Sequence, residues 1–295
     1  MDLSRSDLAV ECGATRAGEG VRVQHADVAG GHILRVRVSS PEAAARIGKP
    51  EGRYVTLECG NIGELDAREA ERVRLSLAVE IRDMAQRMCG GHIGAQSTVL
   101  IAGLGNADIT PDSLGPLTVS HLMVTRRTGS VGERPFGADV TCQIAALSPG
   151  VPAKTGVETV EFLRGAVHAV HPDLLILVDA LAARDAARLS ATVQLSDTGL
   201  CPGSGMGVRT VALDADTLGV PVMAIGVPTV IDSCSLVYDA LCEAGYSTLS
   251  PALYARLEKG KRLFVAPGDI DRLVREESLL LASALEKAFS HSLLQ

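Results

Sequence analysis

Three aliphatic runs limit the possible folds of this chain more than any other feature: Val99–Ala102, Leu174–Val178 and Val220–Ile225. Each is too short for a buried helix and lacks the polar alternation of a half-wet strand. Runs of this kind are strands covered on both faces, and they occur in parallel sheets whose crossover helices supply the cover. The stretches between them read as helices. One lies around Val157–Val170, ending before Pro172, and another follows the Gly103–Gly105 turn to about Arg127. Val140 to Leu147 reads as one more strand, and Ile270 to Leu294 as a C-terminal helix bearing Leu273, Leu280 and Leu281.

The start of the chain has a different period. Val21–Gln24 and Ile33–Val38 alternate apolar and polar on either side of Gly30-Gly31, which is a hairpin pattern, and Tyr54–Cys59 is a further strand. Leu65, Val73, Leu77, Ile81, Met84 and Met88 then recur at helical spacing up to Gly90-Gly91, which ends an amphipathic helix. The expected fold class is α/β: a mainly parallel central sheet flanked by helices, with a β-rich N-terminal portion. Residues 1–295 read as a single domain, in which 1–62 form that portion and 63–295 the α/β core.

At 295 residues such a domain buries about 75% of its unfolded surface. With no Trp, four Phe and four Tyr, the core has to be aliphatic. The formal charge of −7, without a basic run, repels nucleic-acid phosphate and argues against a direct nucleic-acid partner. The start Met1–Asp7 lacks the apolar stretch of a secretory signal, and no run approaches the ~18 apolar residues that span a bilayer. Cysteines 12, 59, 89, 142, 201, 234 and 242 are scattered and form no C-x-x-C pair, a pattern expected of reduced thiols in a cytoplasmic compartment.

In open parallel sheets the carboxyl ends of the strands face the ligand crevice. Two such ends carry acids. Val99–Ala102 runs through Gly103-Leu104-Gly105-Asn106 to Thr110-Pro111-Asp112, and Leu174–Val178 is followed directly by Asp179. Each acid also has a plain reading: Asp112 as a helix N-cap, Asp179 as a partner of Arg184. Gly103-Leu104-Gly105 suggests a nucleotide site, but the third glycine of that fingerprint falls at Asp108, whose carboxylate would repel a diphosphate. Ser196-Asp197-Thr198-Gly199 spells the tripeptide of pepsin-like proteases, yet it occurs once and amid strand–helix alternation. Gly203-Ser204-Gly205 lacks the glycine spacing of a nucleophile elbow. His168 and His171 fit a helix C-terminus, where positive charge is favourable.

Taken together, the segments resemble the germination protease family of spore-forming bacteria. Arg5-Ser6-Asp7-Leu8-Ala9-Val10-Glu11 is similar to that family's R-T-D-L-A-V-E. Gly103–Asn106 with Thr110-Pro111-Asp112-Ser113-Leu114-Gly115-Pro116 is similar to its G-L-G-N and T-P-D-A-L-G-P, and Asp179–Arg184 to its D-A-L-A-A-R. Ser196–Gly199, Pro202–Gly205, Ile225–Val230, Leu263–Pro267 and Ile270-Asp271 follow in the family's order. The resemblance implies an endopeptidase that begins the degradation of small acid-soluble spore proteins during germination, in the cytoplasm of the forespore and spore core. It further implies a homotetramer and an atypical aspartic peptidase with no cofactor and no metal. The fold would be phosphorylase/hydrolase-like, similar to hydrogenase-maturation proteases, and the essential aspartates would be Asp112 and Asp179. Members are made as zymogens. Only four residues precede Arg5, which implies a vestigial prosegment or another form of control.

Two close carboxylates share one proton, so one partner would activate water while the other donates. Asn106 or backbone N–H groups of residues 103–106 are candidates for oxyanion support, and Asp197 for a supporting role. Two alternatives stay open. One is a metal-dependent maturation endopeptidase of the hydrogenase type, with Asp112, Asp179 and His121 as ligands. The other is a non-catalytic nucleotide-binding module on the Gly103–Gly105 turn.

Overall fold

The computed structural model describes residues 6–12, 18–91, 93–126, 142–205, 210–246 and 263–290, with positions 250, 252, 253, 256 and 293. Its elements are β1 (Val21–Val28), β2 (Gly31–Val38), α1 (Pro41–Ile47), β3 (Gly52–Glu58), α2 (Ala67–Met88) and β4 (Thr98–Gly103). They continue with α3 (Leu114–His121), β5 (Gln143–Leu147), α4 (Pro152–Thr155), α5 (Thr159–Val170), β6 (Leu174–Ala183) and β7 (Thr192–Ser196). The last are α6 (Ala215–Leu218), β8 (Val222–Asp232), α7 (Ser233–Glu243), β9 (Phe264–Val265) and α8 (Ile270–Ala288).

The α/β class and the helix-flanked central sheet are as expected. The sheet is mixed, in the order β1-β2-β3-β7-β8-β6-β4-β5, with β9 paired to β8. The aliphatic runs make the parallel half, β5-β4-β6-β8. The N-terminal strands are antiparallel and belong to the same sheet, joined to it through β3–β7 and β7–β8.

One face of the sheet is covered by α2, α3 and α8, with Val73, Leu77, Ile81, Ile101, Ile176 and Leu281 in one cluster. The other face is covered by α5 and α6 over β4 and β6, and by the N-terminal segment Leu8–Val10 over β1–β3. The core is aliphatic, and Phe289 is its one aromatic among the largest fully buried side chains. None of the seven cysteines is joined in a disulfide.

Local chemistry accounts for the element ends. Asp66 caps α2 through the N–H groups of Arg68 and Glu69, while Glu69 accepts from the Asp66 N–H (2.9 Å). His171 takes the left-handed conformation that ends α5 (φ 51°), as its position suggested. Four boundaries differ from expectation, the first being that of β8, which runs on past Ile225 to Asp232 and pairs there with β9. The helix after Asp112 stops at His121, because Leu122 turns extended; Arg127 itself, like Val140 and Thr141, lies outside the described residues. The C-terminal helix ends at Ala288. Strand β6 continues to Ala183, because past Val178 it loses β4 as a partner but keeps β8.

Candidate active site

Strand β4 delivers the chain to a tight crossing. A Cβ on Gly103 would stand 2.1 Å from the Gly115 carbonyl, and one on Gly115 would stand 2.3 Å from that of Leu104 and 2.6 Å from that of Val178. Gly105 has φ 108°, and a Cβ there would meet the Asp112 carbonyl at 2.1 Å. These glycines therefore let the start of α3 sit on the strand ends, and the space above them is filled by backbone. A phosphate cradle needs that space open, so the nucleotide reading fails. Asp108 is in addition ion-paired with Lys154.

Asp112 closes a single 3-10 turn, Thr110–Asp112, which Thr229 of β8 anchors by donating to the Pro111 carbonyl (2.7 Å). It is not the N-cap of α3. Ser113 holds that position, and the Asp112 carboxylate instead accepts the Asn106 N–H at 2.8 Å. Burial raises the Asp112 pKa, and the Asn106 N–H opposes that rise by favouring the charged form.

Asp179 lies within β6, opposite Gly226 of β8, and is 7% exposed. Its Oδ1 accepts the Ala180 N–H at 3.0 Å. The plain pairing with Arg184 is not formed, since that guanidinium reaches Asp239 at 3.4 Å. Burial holds the Asp179 pKa well above the ordinary carboxylate range, and the negative charges of Asp7 and Asp112 push it the same way. Its carboxyl faces a cavity of about 220 Å³, whose walls include Asp7, Lys49, Tyr54, Gln194 and Ser204. Burial pushes the Tyr54 phenol up to about 12. Asp112 is not on that wall; it acts on Asp179 from the strand-end turn.

The other candidates do not line the Asp179 cavity, although Asn106 is held against Asp112. The Asn106 and Leu104 N–H groups are already given to Asp112 and to the Val178 carbonyl, so neither is open to an oxyanion, which leaves the Gly105 N–H and the Asn106 side-chain amide. Asp197 braces β3 by accepting the Arg53 N–H at 2.7 Å. It faces a second hollow of about 510 Å³, beside Arg37 and Arg53, and does not line the Asp179 cavity. His121 sits in the last turn of α3, and among the described residues no three His, Cys, Asp or Glu side chains form a group that would hold a metal ion.

Asp7 was named in a motif but given no role, and the structure puts it on the cavity wall with Asp179. The available signal was an acid set directly before the short apolar run Leu8-Ala9-Val10.

Residues 3–243 match the model of a peptidase family described as germination protease. A germination protease of Caldanaerobacter subterraneus is 35% identical over 98% of this chain and 95% of its own length. One of Clostridium acetobutylicum is 38% identical over 82% of this chain and 74% of its own. Among solved structures, a NiFe hydrogenase maturation protease from Thermococcus kodakarensis is similar at 17% identity with a TM-score of 0.35, covering 70% of this chain and 98% of that one. With a family match over most of its length and relatives at this identity, the chain belongs to the germination protease family, a family of peptidases.

Proposed function

We propose that the chain is an endopeptidase that starts the breakdown of small acid-soluble spore proteins in the germinating spore core, with Asp112 and Asp179 as its catalytic pair. The observation that carries the pair is Asp179: a carboxyl buried in the sheet, open to a cavity, and raised by burial first and then by the charges of Asp7 and Asp112. The two acids have different surroundings, and this assigns their roles. Asp112 is half-buried and receives an N–H, so it is the partner that ionises first and serves as base. Asp179 keeps its proton to higher pH and serves as acid.

In the proposed reaction Asp112 takes a proton from water as the water oxygen attacks the peptide carbonyl. Asp179 gives its proton to the carbonyl oxygen, forming a neutral gem-diol. Asp112 then passes its proton to the leaving nitrogen, and Asp179 recovers one from a gem-diol hydroxyl as the C–N bond breaks. Both groups return to their starting states. The dependence of kcat/KM on pH is bell-shaped: the acid limb follows protonation of Asp112, and the alkaline limb loss of the proton from Asp179.

The substrate class rests on the resemblance and on the relatives' shared name. A homotetramer and a zymogen stage belong to the same reading. Among the described residues, no helix is long and apolar enough to cross a membrane. The test is digestion of a purified small acid-soluble spore protein, with the fragments read by mass spectrometry. Asp112→Asn and Asp179→Asn are each expected to lower kcat/KM by about 10²–10⁴, beyond any change in melting temperature. If either variant keeps most of its activity, the pair is wrong.

A further inference from the structure

We infer that Asp7 is a positioning residue for this reaction: its carboxylate ties the N-terminal segment and the 202–205 turn to β6 and sets a fixed negative charge in the cavity that Asp179 faces. The inference rests on the proposed pair and adds a third acid to it.

Its support is geometric. Asp7 Oδ1 accepts the Ser204 hydroxyl (2.6 Å) and the Gly205 N–H (2.8 Å), and Oδ2 accepts the Ala182 N–H (2.9 Å). The main chain of the same residue is held as well. Its N–H donates to the Ala182 carbonyl (3.0 Å), and its carbonyl accepts from Lys49 Nζ (2.9 Å) and Gln194 Nε2 (2.9 Å). A Cβ on Gly205 would lie 2.4 Å from Oδ2, so the turn closes on the carboxylate itself. The side chain is thus fixed from β6 and the 202–205 turn, and its main chain from β6, β7 and Lys49, two residues past α1.

An acid held in this way acts on its neighbour through charge. Near Asp179 the structure places Asp7 from the N-terminal segment and Asp112 from the 3-10 turn. The rest of the cavity wall contributes Lys49, Tyr54, Cys201 and Asp214. Lys49 is the one cation on that wall, and its ammonium is spent on the carbonyls of Ser6 and Asp7. Asp7 therefore helps to keep the proton on Asp179. Removing its charge lets Asp179 ionise at lower pH, and the alkaline limb of the activity profile moves down with it.

The experiment compares Asp7→Asn, Asp7→Glu and Ser204→Ala in the full chain, measuring kcat/KM against pH and the melting temperature. Asp7→Asn is expected to move the alkaline limb to lower pH and to lower kcat/KM about tenfold at the wild-type optimum. Ser204→Ala loses one hydrogen bond of the tie but keeps the charge, so its limb stays in place. Equal, pH-independent losses in Asp7→Asn and Ser204→Ala, in proportion to their melting temperatures, would reduce Asp7 to a structural tie and overturn the inference. Should Asp7→Asn fail to fold, Asp7→Glu decides. It keeps the charge one methylene out of place, so an unmoved limb with a lowered rate supports the inference, and a wild-type rate overturns it. Inactive Asp112→Asn and Asp179→Asn together with an unchanged Asp7→Asn profile would sink this inference alone. Active Asp112→Asn or Asp179→Asn would sink the pair itself.

Discussion

Glu277 and Asp179 are both acids taken out of water, and their surroundings separate a cost in stability from a chemical use. Glu277, on α8, is fully buried, and neither of its oxygens has a hydrogen-bond partner among the described residues. Burial pushes its pKa up to about 7, with the nearby Ser190 hydroxyl offsetting part of the rise. Glu80 in α2 shows the usual solution, since Arg35 holds its carboxylate with two hydrogen bonds. A group whose folded pKa lies above its unfolded value keeps more protons in the folded state. Stability then falls as pH rises from the unfolded value toward about 7 and levels off above it. That difference corresponds to about 3 kcal/mol by the usual conversion of pKa into free energy. Glu277→Gln, which cannot ionise, is therefore expected to match the wild type near pH 4.5 and to exceed it by about 1–3 kcal/mol at pH 8. Denaturant unfolding at a series of pH values reads the difference directly, and parallel curves would show that the buried carboxyl does not titrate in this range.

At the scale of elements, the glycine crossing between β4 and α3 sets where Asp112 can stand. A methyl on Gly115 has nowhere to go against the carbonyls of Leu104, just past β4, and Val178, within β6. Gly115→Ala is expected to cost about 1–3 kcal/mol as overpacking. By shifting the turn that carries Asp112, it should also lower kcat/KM about 10²-fold. A crystal structure of the variant with Asp112 unmoved would separate the two effects. The crossing also shows what sequence makes visible. The aliphatic runs, the hairpin and α2 were legible because each advertises itself by local period. Asp112 and Asp179 could be picked out as candidates because acids after such runs stand out. The true length of β6 was hidden, since an acid inside an apolar strand reads as its end until the cavity that receives it is known. The attachment of the N-terminal strands was hidden too, because the pairing of Tyr54 with Ser196 joins distant segments and leaves no local mark. Asp197, a candidate for a supporting role, accepts the Arg53 N–H and faces a different hollow from Asp179, a placement its tripeptide does not disclose.

Across the whole molecule, the first described residues are as much a part of the site as the strands. Leu8 and Ala9 are fully buried over β1–β3, and the Ala9 N–H reaches Gln194 of β7. Glu11 caps the far end of β6, accepting the Arg184 N–H (2.8 Å) and the Asp185 N–H (2.9 Å), with the Arg188 guanidinium 3.5 Å away. The segment is pinned at Glu11 and again at Asp7, so loosening one pin loosens the other. Glu11→Ala removes the acceptor of two backbone donors, and the part-buried Arg184 N–H, unlike the exposed Asp185 N–H, is left unpaired at a cost of about 1–3 kcal/mol. At this chain length that corresponds to a melting temperature about 2–8 °C lower. Peptidase activity at 25 °C, where the variant is still folded, is expected to fall as well, because Asp7 is no longer held against β6 and the 202–205 turn. Calorimetry and a peptidase assay on the same preparation test the coupling. A lower melting temperature with full activity would show that Asp7 keeps its place without Glu11, and an unchanged melting temperature would show that the segment is held by its apolar contacts alone.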